Sequence, residues 1–582
     1  MAIKTKIIIL LSSLIAFADF SLAAENQRGN RGIDLGVKGV ERSSQKSTTT
    51  IVLPELNQVL PQGLGLWSQP IVAVTKVELR GNTVLSDDEI NRLTDQYVSA
   101  SMSSRDIQGL REALSKAYLD KGFVNSGVTI PDQDLAGGVL VLQAVEGKLT
   151  NILVDQNDRL RSSYVASRIQ SRVGLPLNIH SLQEAIQLLQ QDEHIDQLAA
   201  ELVPGKNIGE ADLHVTINEA SRWQMGLTAD NHRSESIGAE QVNFSVGHNN
   251  VTGNGDAIDL YVGTSEGNDN YAVNYKLPVS GKGSYIRVFA NASDAVVLEE
   301  PFDQLNVKSD TKSAGLELGW ALINDLNQNL MLSLSMELNE STTELLGRPF
   351  SLSAGSIDGV SENTVVSMSF DWASRSEVQV IAFRSTARVG VDVGNVTLFE
   401  DNPFGTVEAD GEFLTWLNQA QYVRKINETV QFNVRVLSQT AFDPLLSLEK
   451  LAIGGVNTVR GYRENFLVRD NGLSVNFELP FNFPVGESST FQLMPFVDYG
   501  RSWDEEDTDT TSNIRNTDDG RYILSAGISL SYRHQNGISV NVTWAKDVSD
   551  NFEEGEDPQD RVVEDGLQDS GIHFSVGYVR RF

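Results

Sequence analysis

The sequence predicts an α+β repeat followed by an all-β transmembrane barrel of about 16 antiparallel strands. Three observations carry this prediction. A strand–helix–helix–strand–strand pattern occurs twice between residues 71 and 221, and strict apolar–polar alternation runs from 222 to 582. The chain also has no cysteine, so its stability must come from packing or from sheet closure rather than from cross-links. At 582 residues it is too long for one compact core, and two or more domains are expected.

At the start, Lys4 and Lys6 precede an apolar run from Ile7 to Ala16, and Ser21-Leu22-Ala23 offers the small residues of a cleavage site. Residues 1–23 are therefore expected to be a secretory signal peptide, because the run is short for a spanning helix. The net charge of −32 argues against nucleic acid as a partner, since phosphate binding needs clustered Lys and Arg. Residues 24–70 form an N-terminal segment of weak pattern. Gly29, Gly32, Gly36 and Gly39 interrupt any helix, Ser43 to Thr50 is a polar run, and Pro54, Pro61 and Pro70 punctuate a linker. A short helix over Ile33 to Arg42 is weakly signalled.

The first repeat opens with a strand, Val74 to Gly81. Ser86-Asp-Asp-Glu89 then reads as a helix N-cap with an acidic first turn. A second helix, Asp106 to Lys121, carries Ile107, Leu110, Leu114 and Leu119 on roughly one face and stops at Gly122. Strands are expected over Phe123–Pro131 and Gly138–Gly147. The second repeat has the same order: strand Leu149–Val154, helices Ser163–Val173 and Ser181–Asp192, then strands near Ala199–Val203 and Ala211–Ile217. Two such units of roughly 75 residues are an internal repeat.

Beyond 222 the helical period disappears. Leu316, Leu318, Trp320 and Leu322 fall on one face, opposite Glu317, Gly319 and Ala321. Leu330, Leu332, Leu334, Met336 and Leu338 oppose Ser333, Ser335 and Glu337, and Ile572, Phe574, Val576 and Tyr578 oppose His573, Ser575 and Gly577. A soluble sandwich also alternates, but it solvates its outer face with more charge. Here the segments approach the roughly 9–11 residues of a tilted spanning strand. Their apolar faces end in Trp and Tyr, as interfacial girdles do, and the other face is small and polar, as a lumen is. At roughly 22 residues per strand and connection, 222–582 makes about 16 strands. Connections are either short, as at Pro278–Gly283 and His534–Gly537, or long and acidic, as at Asp504–Arg521 and Val548–Gly571. The acidic loops read as solvated surface rather than as calcium sites.

Catalytic chemistry has little to work with. The chain has seven histidines and shows no H-E-x-x-H, no G-x-S-x-G and no P-loop, and no cofactor or metal site is expected. His573 alternates inward and is expected to be a solvated wall residue. Asp371 and Glu317 also point inward, but from separate strands, as ordinary porin-wall charges do.

One connection between late strands stands apart. It reads Leu451-Ala-Ile-Gly-Gly-Val-Asn-Thr-Val-Arg-Gly-Tyr462, and downstream lies Phe496-Val497-Asp498-Tyr499-Gly500. Val459-Arg460-Gly461-Tyr462 matches a V-R-G-Y loop motif and the later stretch an F-x-D-x-G strand motif. With both, in this order, the chain resembles the two-partner secretion transporters of Gram-negative outer membranes, which export filamentous haemagglutinins and haemolysins. The resemblance implies two POTRA units, at 71–147 and 148–221, and a barrel at 222–582 whose long loop folds back inside. It implies that Arg460 on that loop meets a wall carboxylate, and alternation turns Asp498 into the lumen. A large unfolded exoprotein would be recognised by the POTRA units in the periplasm and passed through the barrel, without catalysis or ATP. Phe582, ending an alternating strand, resembles the signal read by the outer-membrane assembly machinery as it inserts barrels into the lipid bilayer. The N-terminal segment departs from the family, whose members often hold a plug helix there. A nonspecific porin would lack the repeats and both motifs, and a barrel-assembly factor usually carries more POTRA units.

Overall fold

The computed structural model describes residues 51–52, 70–135, 137–155, 159–299, 303–351, 356–398, 409–505, 520–551 and 566–582. The expected signal peptide, the weakly signalled helix over 33–42 and nearly all of the 24–70 segment lie outside these residues. The described residues form two compact units, one of residues 46–220 with 280–282 and one holding the barrel.

In the first module, strand Val139–Val145 lies between Lys76–Arg80, to which it is parallel, and Gly127–Thr129, to which it is antiparallel. Helices Asp87–Thr94 and Ser104–Asp120 cover the sheet. The first helix starts where Ser86 Oγ accepts the Glu89 N–H and the Glu89 carboxylate accepts the Ser86 N–H. Hydrogen bonds from Lys121 and Ser86 hold that carboxylate down at about 2. The second helix begins two residues earlier than the sequence pattern suggests, because Ser103 and Asp106 form another reciprocal cap. Its buried face is Leu110, Leu114 and Tyr118; Leu119 is exposed, contrary to expectation. Tyr118, four residues after Leu114, continues the stripe onto Leu140 and Leu142.

The second module repeats this arrangement with strands Lys148–Asp155, Ile195–Pro204 and Glu210–Glu219 and helices Ser162–Gln170 and Ile179–Gln190. Its core packs Val165, Ile169, Leu182 and Ile186 on Leu213 and Val215. Ile51–Val52 adds to the outer edge of Ile195–Pro204, in parallel, opposite Ala200 and Glu201. At one end of the core, the Asp192 carboxylate accepts from Tyr164 at 2.8 Å and Arg168 at 2.9 Å and lies 2.7 Å from His194 Nδ1.

The barrel has 16 strands, each antiparallel to its neighbours. The first, Trp223–Asp230, pairs with the last, Ile572–Arg581, and so removes both sheet edges. The twelfth is interrupted: Asn471–Glu478 and Phe481–Val485 both pair with Ser489–Trp503. Pro480, which has no N–H to give the ladder, stands in the break. Leu316, Trp320, Leu322, Leu334, Met336, Val542 and Trp544 face outward and are exposed where lipid would cover them. Ser333, Glu337, Thr543 and Ser531 face inward and are buried. Short turns such as 279–284 and 535–537 lie at one end, with both barrel termini. The longer connections, including 231–240 and 442–470, join strands at the other.

Candidate functional site

The connection 442–470 does not leave the barrel. Leu451–Ile453 and Leu467–Arg469 form a small hairpin, and the segment between them runs along the inner wall. Its fold depends on backbone conformations that glycine adopts without strain: φ is +119° at Gly454, +92° at Gly455 and +96° at Gly461. Thr458 Oγ1 closes the turn, accepting the Gly454 N–H at 2.8 Å and donating to its carbonyl at 3.0 Å. Val459 and Tyr462 are fully buried, with Ile453 and the wall residue Ile523.

Arg460 is only 2% exposed, and its guanidinium has three kinds of partner. Nε and Nη2 donate to the two Asp498 oxygens at 2.7 and 2.8 Å, a bidentate pair, and the Arg460 backbone N–H adds a third bond at 3.1 Å. Nη2 also lies 3.0 Å from Glu478 Oε1. The cation sits 3.5 Å from the centre of the Phe496 ring. The strand motif thus resolves into three tasks on one inward face: Phe496 stacks, Asp498 pairs and Gly500 leaves room. A Cβ on Gly500 would lie 2.6 Å from Ile453 and 2.7 Å from Val459. Val497 and Tyr499 alternate to the outside.

Two charges balance Arg460, and the sequence reading supplied only one. Glu478 sits on the inward parity of its strand with Ser474 and Asn476, a signal that was present but carried no motif. It also accepts from Arg435 at 2.9 Å. His573 differs from expectation: it is 1% exposed, covered by the loop, with Nδ1 3.9 Å from Glu464. The inward loop dries this part of the wall, which alternation alone could not reveal. Glu317 and Asp371 each pair with an arginine on the inner wall, Arg287 and Arg384. Beyond the motif, Arg463 pairs with Asp569 through two nitrogens and with Glu299 at 2.7 Å. At the short-turn end, Phe582 and Trp223 exchange backbone hydrogen bonds of 3.0 and 3.1 Å, which finish the seam.

Comparison with known proteins places this architecture. Residues 209–533 match the family described as haemolysin secretion/activation protein ShlB/FhaC/HecB, more than half of the chain. The chain belongs to this family. Residues 72–147 match its POTRA domain, ShlB-type. Among relatives, the haem/hemopexin transporter protein HuxB of Haemophilus influenzae is 21% identical over 84% of this chain and 85% of its own length. The haemolysin transporter protein HpmB of Proteus mirabilis is 22% identical over 91% and 93%. The solved structure of CdiB from Escherichia coli shares the fold, with a TM-score of 0.66 over 93% of this chain and 95% of that one at 19% identity. As a member of the ShlB/FhaC/HecB family the chain is an outer-membrane two-partner secretion transporter, with a barrel in the membrane and POTRA structure on the periplasmic side. The porin and barrel-assembly alternatives give way to this assignment.

Proposed function

We propose that this transporter moves a large exoprotein as an unfolded chain, recognised by the two POTRA modules and passed through the barrel when the inward loop lets go of the wall. The observation that carries the reading is the buried lock of Arg460 on Asp498, Glu478 and Phe496. A lock made of charge-assisted hydrogen bonds holds firmly while dry, yet can exchange its partners for water or for a polar chain. An apolar plug would have no such substitute. Recognition is by strand addition: the outer sheet edge at Ile195–Pro204 offers backbone N–H and C=O groups that pair with an extended segment whatever its side chains. Ile51–Val52 on this edge supports its capacity to accept a strand. Transport involves no cofactor and no bond-making step, and the assembly machinery reads the closing strand that ends in Phe582.

The test is reconstitution in a strain lacking both proteins. Expression of this chain with a large exoprotein encoded beside it should release the exoprotein into the medium, and the exoprotein alone should remain in the periplasm. Equal release with and without this chain would refute the reading.

A further inference from the structure

The inward loop is fastened to the wall at several points: besides the motif pair, the Thr458 carbonyl accepts from Ser474 and Asn476, Glu449 pairs with Arg388 at 2.8 Å, and a further fastening lies past Tyr462. Past Tyr462 the chain continues along the same stretch of wall, past Ala545, and meets 566–571, the turn that leads into the closing strand. There Arg463 Nη2 donates to Asp569 Oδ2 at 2.7 Å, and its Nε donates to the other oxygen. Asp569 is fixed in turn by the Gly566 N–H at 2.7 Å. The next residue of the loop is held as well: the Glu464 N–H donates to Gln568 Oε1 at 2.9 Å. Gln568 is fully buried, and its amide nitrogen donates to the carbonyls of Asn231 and Arg233, at 2.6 and 2.7 Å. Those carbonyls follow the first barrel strand. Asn231 itself clasps the last strand, donating to the Ile572 carbonyl at 2.9 Å and accepting the Phe574 N–H at 2.8 Å. Loop, closing strand and first strand therefore share one hydrogen-bonded junction.

We propose that Gln568 and Asp569 are positioning residues that fasten the inward loop just beyond Tyr462 to the barrel seam, so that the loop is released only when this junction breaks as well as the Arg460–Asp498 pair. The inference rests on the transport reading, since release matters only if the lumen must clear. Its physical basis is the division of labour. Arg460 fixes the loop to the wall, where its cation bridges Asp498 and Glu478. Arg463 and the Glu464 N–H fix it to the one part of the wall where the sheet closes on itself. Asp569 and Glu299, on different long connections, together set the position of Arg463, whose cation is paired on both sides.

The chain contains no cysteine, so a single Val456→Cys in the loop is a clean reporter. Its labelling rate by a bulky maleimide is measured in outer membranes without any exoprotein, which separates this inference from the secretion reading. Asp569→Ala, Gln568→Ala and Arg463→Ala should each raise the rate about tenfold or more, the change expected for losing a charge-assisted or buried hydrogen bond. Arg463→Ala combined with Asp569→Ala should label little faster than either alone, because both remove the same contact. A general loosening of the barrel would instead add the two effects and lower the heat-modifiable fraction. Should Asp569→Ala fail to insert, Asp569→Asn keeps its size and reads the same loss of charge. Wild-type labelling rates in folded Asp569 and Gln568 variants would overturn the second anchor while leaving the secretion reading intact.

Discussion

Replacing Arg460 by alanine removes the group that joins Asp498, Glu478 and Phe496, and the structure fixes what is left behind. Asp498 is fully buried and keeps only the backbone N–H of residue 460, at 3.1 Å. Glu478 retains Arg435 at 2.9 Å. Stranding one member of a buried ion pair costs about 3–5 kcal/mol. At about 1.4 kcal/mol per tenfold, the ratio of docked to released loop falls by roughly 100- to 4,000-fold. Asp498→Asn is milder: Arg460 keeps Glu478 and the Phe496 ring, and the loss is about 1.5–3 kcal/mol. Arg460→Lys also falls between, since an ammonium carries charge but not the bidentate fork. The assay is exoprotein in the medium, divided by heat-modifiable barrel in the outer membrane. Because the loop must re-dock in its productive position as well as let go, weakening the lock lowers throughput, and secretion per barrel should rank wild type first, then Asp498→Asn and Arg460→Lys, then Arg460→Ala. Swapping the pair, Arg460→Asp with Asp498→Arg, should recover only part, because Glu478 then faces a carboxylate. Full secretion per barrel by Arg460→Ala would refute the reasoning.

Three further outcomes follow from the same geometry. Deleting Phe582 removes both of its backbone bonds with Trp223, each worth about 0.5–1.5 kcal/mol, and should lower the amount and the melting point of heat-modifiable barrel. Gly500→Ala should mimic a weak Arg460 variant, since its Cβ crowds Ile453 and Val459 and overpacking costs about 1–3 kcal/mol; loop labelling should rise while the barrel still assembles. In the second module burial alone would lower His194, but its hydrogen bond with Asp192 outweighs burial and holds it above its ordinary value. Burial would raise Asp192, yet His194 and Arg168 hold it well below the carboxylate range. The raised histidine stabilises fully below about pH 6.5 and loses that contribution as pH climbs through its folded value. The lowered aspartate contributes above about pH 4 and is lost as pH falls through its folded value. Thermal unfolding of the POTRA unit should therefore peak between about pH 4 and 6.5 and decline toward pH 8, and His194→Gln should flatten the alkaline side.

What the sequence made legible was whatever repeats or alternates. Period 2 separated Leu334, Met336 and Leu338 from Ser333 and Glu337, and that parity alone turned Asp498 inward. Ser86 and Glu89 announced a helix start by their spacing. Leu119 was misassigned because two successive residues, Tyr118 and Leu119, both fit a loose apolar stripe, and only packing against Leu140 and Leu142 chooses between them. The Arg460–Asp498 contact drew on a family resemblance, since nothing local links residues 38 apart. Arg463 had no such help: Asp569 is 106 residues away, in an acidic connection without periodicity. His573 illustrates the same limit. Alternation places a side chain on the inner face but does not say whether water or a returning loop meets it there.

The account stands most directly on a deletion of residues 71–220, with the barrel left whole. Planar-bilayer conductance and exoprotein in the medium are measured on the same preparation. The account predicts that export is abolished while the barrel still inserts and conducts ions, because recognition lies in the POTRA modules and the path lies in the barrel. Undiminished export by the deletion variant would contradict it.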